Sequence, residues 1–149
     1  MTKISSNIQL LNIIGKGAYG DVYMGINTKT KEHYAIKKIT KKQLKSEIVY
    51  QYFNNEIFIL KQVNHPNIIK LVDLKSGINC FFLIFEVCNG GCLSDILEKY
   101  KEKYNKPFSQ EIVQYLMRQI ISGFAYLHDM KILHRDVKLD NILITKYTY

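Results

Sequence analysis

The sequence predicts an α+β fold in which strands come first and helices follow. Three observations predict it. Up to Phe85, short runs rich in β-branched and aromatic residues are separated by turn residues. A glycine-containing connector at residues 86–91 then interrupts the pattern. Beyond it, apolar residues recur at spacings of three and four, the period of an amphipathic helix.

The chain has 149 residues, 47% hydrophobic and 23% charged, which is enough to bury one ordinary core and is the balance of a globular domain rather than a disordered one. Lys and Arg number 21 against 13 Asp and Glu, a net charge of +8. Such a charge suits anionic partners without choosing among nucleotides, nucleic acid and acidic membranes. The lysines at 37, 38, 41, 42 and 45 have no aromatic stacking residues between them and read as a solvated face preceding a helix, so no nucleic-acid partner is expected. Cys80, Cys88 and Cys92 form no even disulfide framework and lack further Cys or His at zinc-like spacing. Reduced thiols, the absence of a signal-peptide pattern, and an apolar run at 80–85 too short to span a bilayer lead to the expectation of a cytoplasmic protein with no transmembrane segment.

In chain order, residues 8–14 read as a strand running into Gly15-Lys16-Gly17-Ala18-Tyr19-Gly20. Glycines at this spacing allow a tight turn and close approach of main-chain N–H groups to phosphate oxygens. A phosphate loop of the Gly-Lys-Ser/Thr type is excluded by Asp21 and Val22 after Gly20, and a dinucleotide fold would need a helix where residues 21–26 alternate like a strand. A plain hairpin with a glycine turn is the other reading. After a turn at 27–31, residues 33–38 form the next strand, with Ala35 and Lys37 on one face and Ile36 on the other. A small residue beside a lysine suits a flat base and its phosphates, although lysines are common on strands.

Residues 46–63 have helical spacing through Val49, Phe53, Ile57, Leu60 and Val63. Glu56 lies at the edge of that stripe, so it either solvates the helix boundary or turns inward to a cation, with Lys37 the candidate. His65-Pro66-Asn67 breaks the helix, and His65 reads as a turn or capping residue. Strands are expected at 68–72 and 79–85, a short helix at 94–100, a polar linker at 101–106, and a long helix capped by Ser109 with Ile112, Leu116, Ile120, Phe124 and Leu127 on its apolar stripe.

The segment His134-Arg135-Asp136-Val137-Lys138-Leu139-Asp140-Asn141 follows, set between apolar triplets that read as short strands. A carboxylate, an ammonium and an amide at this spacing suit phosphoryl transfer: Asp136 to orient a hydroxyl and take its proton, Lys138 to offset phosphate charge, Asn141 to offer an oxygen to Mg²⁺. A polar surface loop is the competing reading of the same residues.

Taken in order, Gly15-x-Gly17-x-x-Gly20-x-Val22, Tyr34-Ala35-Ile36-Lys37, Glu56, Glu86 and His134-Arg135-Asp136-x-Lys138-x-x-Asn141 resemble the eukaryotic protein kinases, over about residues 8–144. The resemblance implies a protein-kinase-like fold: a small antiparallel five-stranded lobe with one helix at 8–85, a hinge at 86–91, and an incomplete helical large lobe at 92–149. It implies ATP and Mg²⁺ as cofactors. Gly15, Gly17 and Gly20 would cover the phosphates, Lys37 would hold them and Glu56 would orient Lys37. Ile14, Val22, Ala35 and Leu143 would enclose adenine, Glu86 and Cys88 would bind it through the main chain, and Phe85 would stand at the back of that site. Asp136 would be the catalytic base, Lys138 would neutralise the γ-phosphate and Asn141 would bind Mg²⁺. Lys138, two places after Asp136, implies the Ser/Thr type, hence protein substrates with Ser or Thr acceptors. Residues 85–93 and 114–120 are similar to the autophagy-initiating, Unc-51-like kinases. No oligomeric state is assigned.

Two departures from the family pattern shape the expectations. Cys92 stands where many members carry an acid for the ribose hydroxyls, with Asp95 nearby. The Asp-Phe-Gly magnesium motif should follow Asn141 by a dozen or more residues, yet Asp140 is the last acid in the sequence. The 149-residue chain is therefore expected to be a truncated kinase domain, inactive by itself, with the helical stripe at 112–127 exposed as an apolar patch and with poor solubility. The alternative is a non-catalytic nucleotide-binding or partner-binding kinase fragment.

Overall fold

The computed structural model describes residues 4–17 and 20–146. Ala18 and Tyr19 of the glycine segment lie outside the described residues, as do the last three residues of the expected large lobe. The chain divides into two compact units, one of residues 1–64 and 69–87 and the other of residues 65–68 and 88–149.

The first unit is an antiparallel five-stranded sheet in the order β1-β2-β3-β5-β4. Its strands are β1 (Ile8–Gly17), β2 (Gly20–Asn27), β3 (His33–Thr40), β4 (Leu71–Ser76) and β5 (Cys80–Phe85). The helix α1 (Glu47–Gln62) falls between β3 and β4 in sequence, after a 3-10 turn at Lys41–Leu44. Ser46 caps α1, its hydroxyl accepting from Val49 N–H at 3.2 Å.

Strand alternation divides this unit into two apolar layers. Ile36 pairs with Ile84, and with Leu10 these two fully buried side chains form the core of one face. Ile39 and Leu83 lie on the other face and pack with Phe53 and Ile57 of α1. Burying four such side chains contributes roughly 1.5–3 kcal/mol each and fixes α1 to that face. Gly25 opposes Tyr34 in the register, and a Cβ at position 25 would collide with Ile36 Cδ1, so the first face closes only over glycine.

Two strand expectations shift. Residues 68–70 are not a strand, and β4 instead runs from Leu71 through Lys75 and Ser76, with its turn at residues 77–79. Ile68 is apolar for a different reason, since it lies within reach of Gly123 in the second unit's long helix.

The second unit holds α2 (Leu93–Tyr104), α3 (Gln110–Asp129) and a two-stranded ladder of β6 (Gly91–Cys92) with β7 (Leu143–Ile144). The expected polar linker at 101–106 is largely the last turn of α2. Tyr100 and Tyr104 stack four residues apart with centroids 4.6 Å apart, Phe108 meets Tyr100 at 4.7 Å, and Asn105 ends the helix in the left-handed conformation. Ser109 caps α3 as expected.

Residues 131–133 are not a strand. The apolar segment after the polar cluster pairs with Gly91–Cys92, and the segment before it is irregular. The α3 stripe is exposed only in part: Leu127 is buried and Leu116, Ile120 and Phe124 are half-buried, while Ile112 and the flanking Val113, Met117 and Ile121 are exposed, Ile121 at 57%. The apolar patch lies on the flank of the stripe and not along its whole length.

Candidate active site

The polar cluster at 134–141 is a closed constellation rather than a strip of independent side chains. Ile132 N–H bonds to Leu127 O at 2.9 Å, which turns the chain back at the end of α3. The His134 ring then meets Phe124 edge-on at 5.8 Å, and its Nδ1 accepts the Asp136 N–H at 3.3 Å. Between them Arg135 takes a left-handed backbone with φ 65°, costing about 1–2 kcal/mol for a residue with a Cβ. That reversal lets His134 and Asp136 face the same local hydrogen bond.

Two predicted residues converge on the carboxylate of a third. Lys138 Nζ lies 3.0 Å from Asp136 Oδ2, and Asn141 Nδ2 donates to that same oxygen at 2.8 Å and to Asp136 O at 2.9 Å. The Lys138 ammonium, and after it the Asn141 amide, hold the Asp136 carboxyl below the usual carboxylate range. The cluster is open to solvent, so the shift reflects direct partners and not burial. Asn141 commits both of its amide hydrogens to Asp136, and its Oδ1 accepts from no described residue. A neutral amide oxygen is a suitable donor for a hard cation such as Mg²⁺. Among the described residues no group of three His, Cys, Asp or Glu gathers as a metal cluster.

In the first unit the sheet register brings the predicted nucleotide residues onto one face. Gly15 opposes Val22, Val22 opposes Lys37, and Ala35 opposes Phe85, so Val22, Ala35 and Lys37 project from the same side. Ile36 takes the other side, as the alternation predicts. Ile14 and Gly17 lie on β1, and Gly17 opposes Gly20 where the ladder closes. Gly20 has φ 140° and a Cβ there would strike Lys38 O, so this position requires glycine for two reasons.

Glu56 lies on α1 with its side chain exposed, beside Phe53 and Ile57, which the helix presents to the sheet. Glu86 is tied down at both its groups: its N–H donates to Lys70 O at 3.2 Å and its carboxylate accepts from Lys70 N–H at 2.8 Å. The Glu86 carbonyl remains the group able to accept from a ligand. In the second unit Cys88 and Leu143 are placed separately, Leu143 by its pairing with Cys92.

Residues 8–148 match the protein kinase domain family. The chain belongs to the protein kinase family. It is 41% identical over 130 residues to calcium-dependent protein kinase 5 of Plasmodium berghei, covering 87% of this chain and 22% of that protein. It is 37% identical over 147 residues to myosin light chain kinase A of Dictyostelium discoideum, covering 97% of this chain and 47% of that protein. It is 36% identical over 139 residues to serine/threonine-protein kinase PLK4 of Xenopus tropicalis, covering 93% and 14%. These relatives place the kinase in the Ser/Thr protein kinase family, and the chain spans less than half the length of each.

Other contacts in this kinase carry no sequence signal. His65 accepts the Asn67 N–H at 3.1 Å, as a turn residue should, but its Nε2 also lies 3.2 Å from Ser122 Oγ and its ring lies 5.1 Å from that of Tyr126. Asn67 donates to Gln119 at 3.3 Å. Asn89 and Lys146 exchange two hydrogen bonds, at 2.7 and 3.2 Å, beyond the end of β7. Each partner is more than fifty residues away in the chain, so only a glance at the exposed polar positions of α3, Gln119 and Ser122 in one helical row, could have hinted at a docking strip. Cys80, Cys88 and Cys92 form no disulfide among the described residues. No helix among the described residues is long and apolar enough to cross a membrane.

Proposed function

We propose that the protein transfers the γ-phosphoryl group of ATP to Ser or Thr hydroxyls of protein substrates. The observation that carries this reading is the convergence of Lys138 and Asn141 on one oxygen of Asp136, at 3.0 and 2.8 Å. The transition state of phosphoryl transfer is loose and asks for little covalent work from the protein, so positioning and charge matter most. An Asp136 held ionised well below neutrality orients the incoming hydroxyl and accepts its proton as the bond to phosphorus forms. Lys138 lies beside it to offset negative charge on the transferred group.

On the sheet, Lys37 holds the α- and β-phosphates and Gly15, Gly17 and Gly20 cover them with main-chain N–H groups. Ile14, Val22 and Ala35 contact adenine, and the Glu86 carbonyl supplies a hydrogen bond to it. Residues 8–85 act as the small lobe, 86–91 as the hinge and 92–149 as the part of the large lobe that carries the loop. Asn141 would hold Mg²⁺ through Oδ1, and the ion, when bound, neutralises charge on the phosphates. Glu56 orients Lys37, a pairing that this family requires for transfer. Three cysteines that form no disulfide among the described residues fit a reducing, cytoplasmic setting.

The exposed apolar face of α3 supports a second reading, a partner-binding kinase segment without transfer of its own. Incubating the full-length protein with γ-labelled ATP, Mg²⁺ and peptides bearing Ser, Thr or Tyr separates the two. Label on Ser and Thr supports transfer; nucleotide binding with no label on any peptide supports the second reading.

A further inference from the structure

We propose that Ser94 is a positioning residue for the catalytic loop: it ties Asp140 to the first turn of α2 and thereby holds Asn141 and Asp136 in place. The proposal rests on the phosphoryl-transfer reading of the Asp136 centre.

The tie begins with an uncapped helix. Cys92 occupies the N-cap position of α2 but its side chain accepts no cap hydrogen bond, so the first turn has N–H groups to satisfy. The catalytic-loop strand supplies what the cap does not. Gly91 and Cys92 pair with Ile144 and Leu143, and Leu93 N–H donates to Ile142 O at 2.8 Å. One residue further into the helix, Ser94 Oγ donates to Asp140 Oδ1 at 3.2 Å and lies 3.1 Å from Cys92 Sγ.

The donor inventory fixes the direction of this chain of bonds. An ionised Asp140 can only accept, so the single Ser94 hydroxyl hydrogen goes to it and the Cys92 thiol donates to Ser94 Oγ. The carboxylate is thereby brought to the positive end of α2, where an anion is favoured. Asp140 is the middle residue of the 3-10 turn Leu139–Asn141 and the covalent neighbour of Asn141, whose N–H also bonds to Lys138 O at 3.0 Å. Asn141 in turn gives both amide hydrogens to Asp136. Any displacement of Asp140 is passed through one peptide bond to the group that orients the base. Ser94 touches neither the reacting atoms nor Asp136 and acts only through Asp140.

The test uses the full-length protein with Ser94→Ala, Ser94→Thr, Asp140→Ala and the Ser94→Ala/Asp140→Ala pair. Two quantities are read: kcat and KM for ATP in peptide phosphorylation, and amide hydrogen exchange over residues 136–142. Loss of one such hydrogen bond corresponds to about a fivefold effect. Ser94→Ala is expected to lower kcat by about that factor, to leave KM for ATP within about twofold, and to speed exchange in the loop. Ser94→Thr, which keeps the hydroxyl, is expected to restore both. In the Asp140→Ala background Ser94→Ala should add nothing further, because its partner is already gone. Wild-type kcat and exchange in Ser94→Ala, or an undiminished effect of Ser94→Ala in the Asp140→Ala background, overturns the proposal. Absence of any phosphoryl transfer by the wild type defeats the kinase reading instead, and the exchange measurements then decide the Ser94 tie by themselves.

Discussion

Asn141 donates both hydrogens of its side-chain amide to Asp136, one to Oδ2 at 2.8 Å and one to the main-chain carbonyl at 2.9 Å. The six residues from Asp136 to Asn141 are closed into a ring by that one side chain, and Lys138 enters the same ring through the same carboxylate oxygen. The arrangement makes Asp136 a well-oriented acceptor whose negative charge persists into acid.

The pH dependence of the base follows from its partners. The Lys138 ammonium is the larger cause of the lowered Asp136 pKa, and the Asn141 amide the second. An aspartate is competent only when ionised, so activity due to Asp136 is present above its folded pKa and lost as pH falls through it. The acid limb of the wild type should therefore lie below the ordinary aspartate value of about 3.9. Lys138→Met should move it upward, toward that value. Titrating the Asp136 carboxyl carbon by NMR in both proteins checks the sign, and an unmoved or lower value in Lys138→Met would contradict it.

Replacing Asn141 by Asp removes both donors and sets a second carboxylate beside the first. Like charges at this separation raise one another's pKa, so Asp136 should titrate higher than in the wild type. Transfer should fall by at least about a hundredfold, as expected when an orienting group is lost from a preorganised site. Steady-state kinetics of the full-length enzyme would expose a smaller loss.

Glu56 tests whether the observed α1 position is the catalytic one. Its carboxylate is exposed, so Glu56→Gln should change unfolding free energy by no more than about 0.5 kcal/mol. The same substitution should lower turnover by about tenfold or more if the two residues pair during transfer. Denaturant titration and kinetics on one preparation separate the effects, and full turnover with normal stability would remove Glu56 from the mechanism.

The two faces of the sheet predict two kinds of stability loss. Leu83 is 1% exposed, beneath α1, and Leu83→Ala should cost about 2–5 kcal/mol by leaving a cavity. Gly25→Ala adds a methyl group against Ile36, which is 0% exposed, and should cost about 1–3 kcal/mol by overpacking. Equilibrium unfolding in urea measures both, and a neutral Gly25→Ala would show that the Ile36 side has room to relax.

The exposed stripe of α3 makes a prediction about association. Val113, Met117 and Ile121 recur at four-residue spacing and are all exposed. Ile121→Lys in the 149-residue chain should raise its solubility limit severalfold without lowering its melting temperature. Sedimentation at increasing concentration is the check; a loss of melting temperature on substitution would mean that the side chain is packed after all.

Much of this was legible in the sequence because it depends on local periodicity. The two-residue alternation at 35–37 placed Ala35 and Lys37 together and Ile36 in the opposite core, and the cap-plus-stripe patterns located α1 and α3 by Ser46 and Ser109. The loop residues Asp136, Lys138 and Asn141 were legible as a group because they lie within six residues of one another. What was hidden depends on contacts between distant residues. Ile68 and Leu133 are apolar enough for strands, yet neither segment has a strand partner in the register. The last turn of α2 looked like linker because its lysines and glutamate mask the Tyr100–Tyr104 contact. The Ser94–Asp140 bond joins residues 46 positions apart and leaves no trace in spacing.

The central claim is that Asp136 is the base of a phosphoryl-transfer centre. Asp136→Asn keeps the size of the side chain and one acceptor oxygen while removing the charge, so the most direct measurement is single-turnover transfer from γ-labelled ATP to a Ser-containing peptide by the full-length protein and this variant. The account predicts labelled phosphoserine from the wild type and a rate at least about a hundredfold lower from Asp136→Asn, with nucleotide binding retained. Equal rates from the two proteins would contradict it.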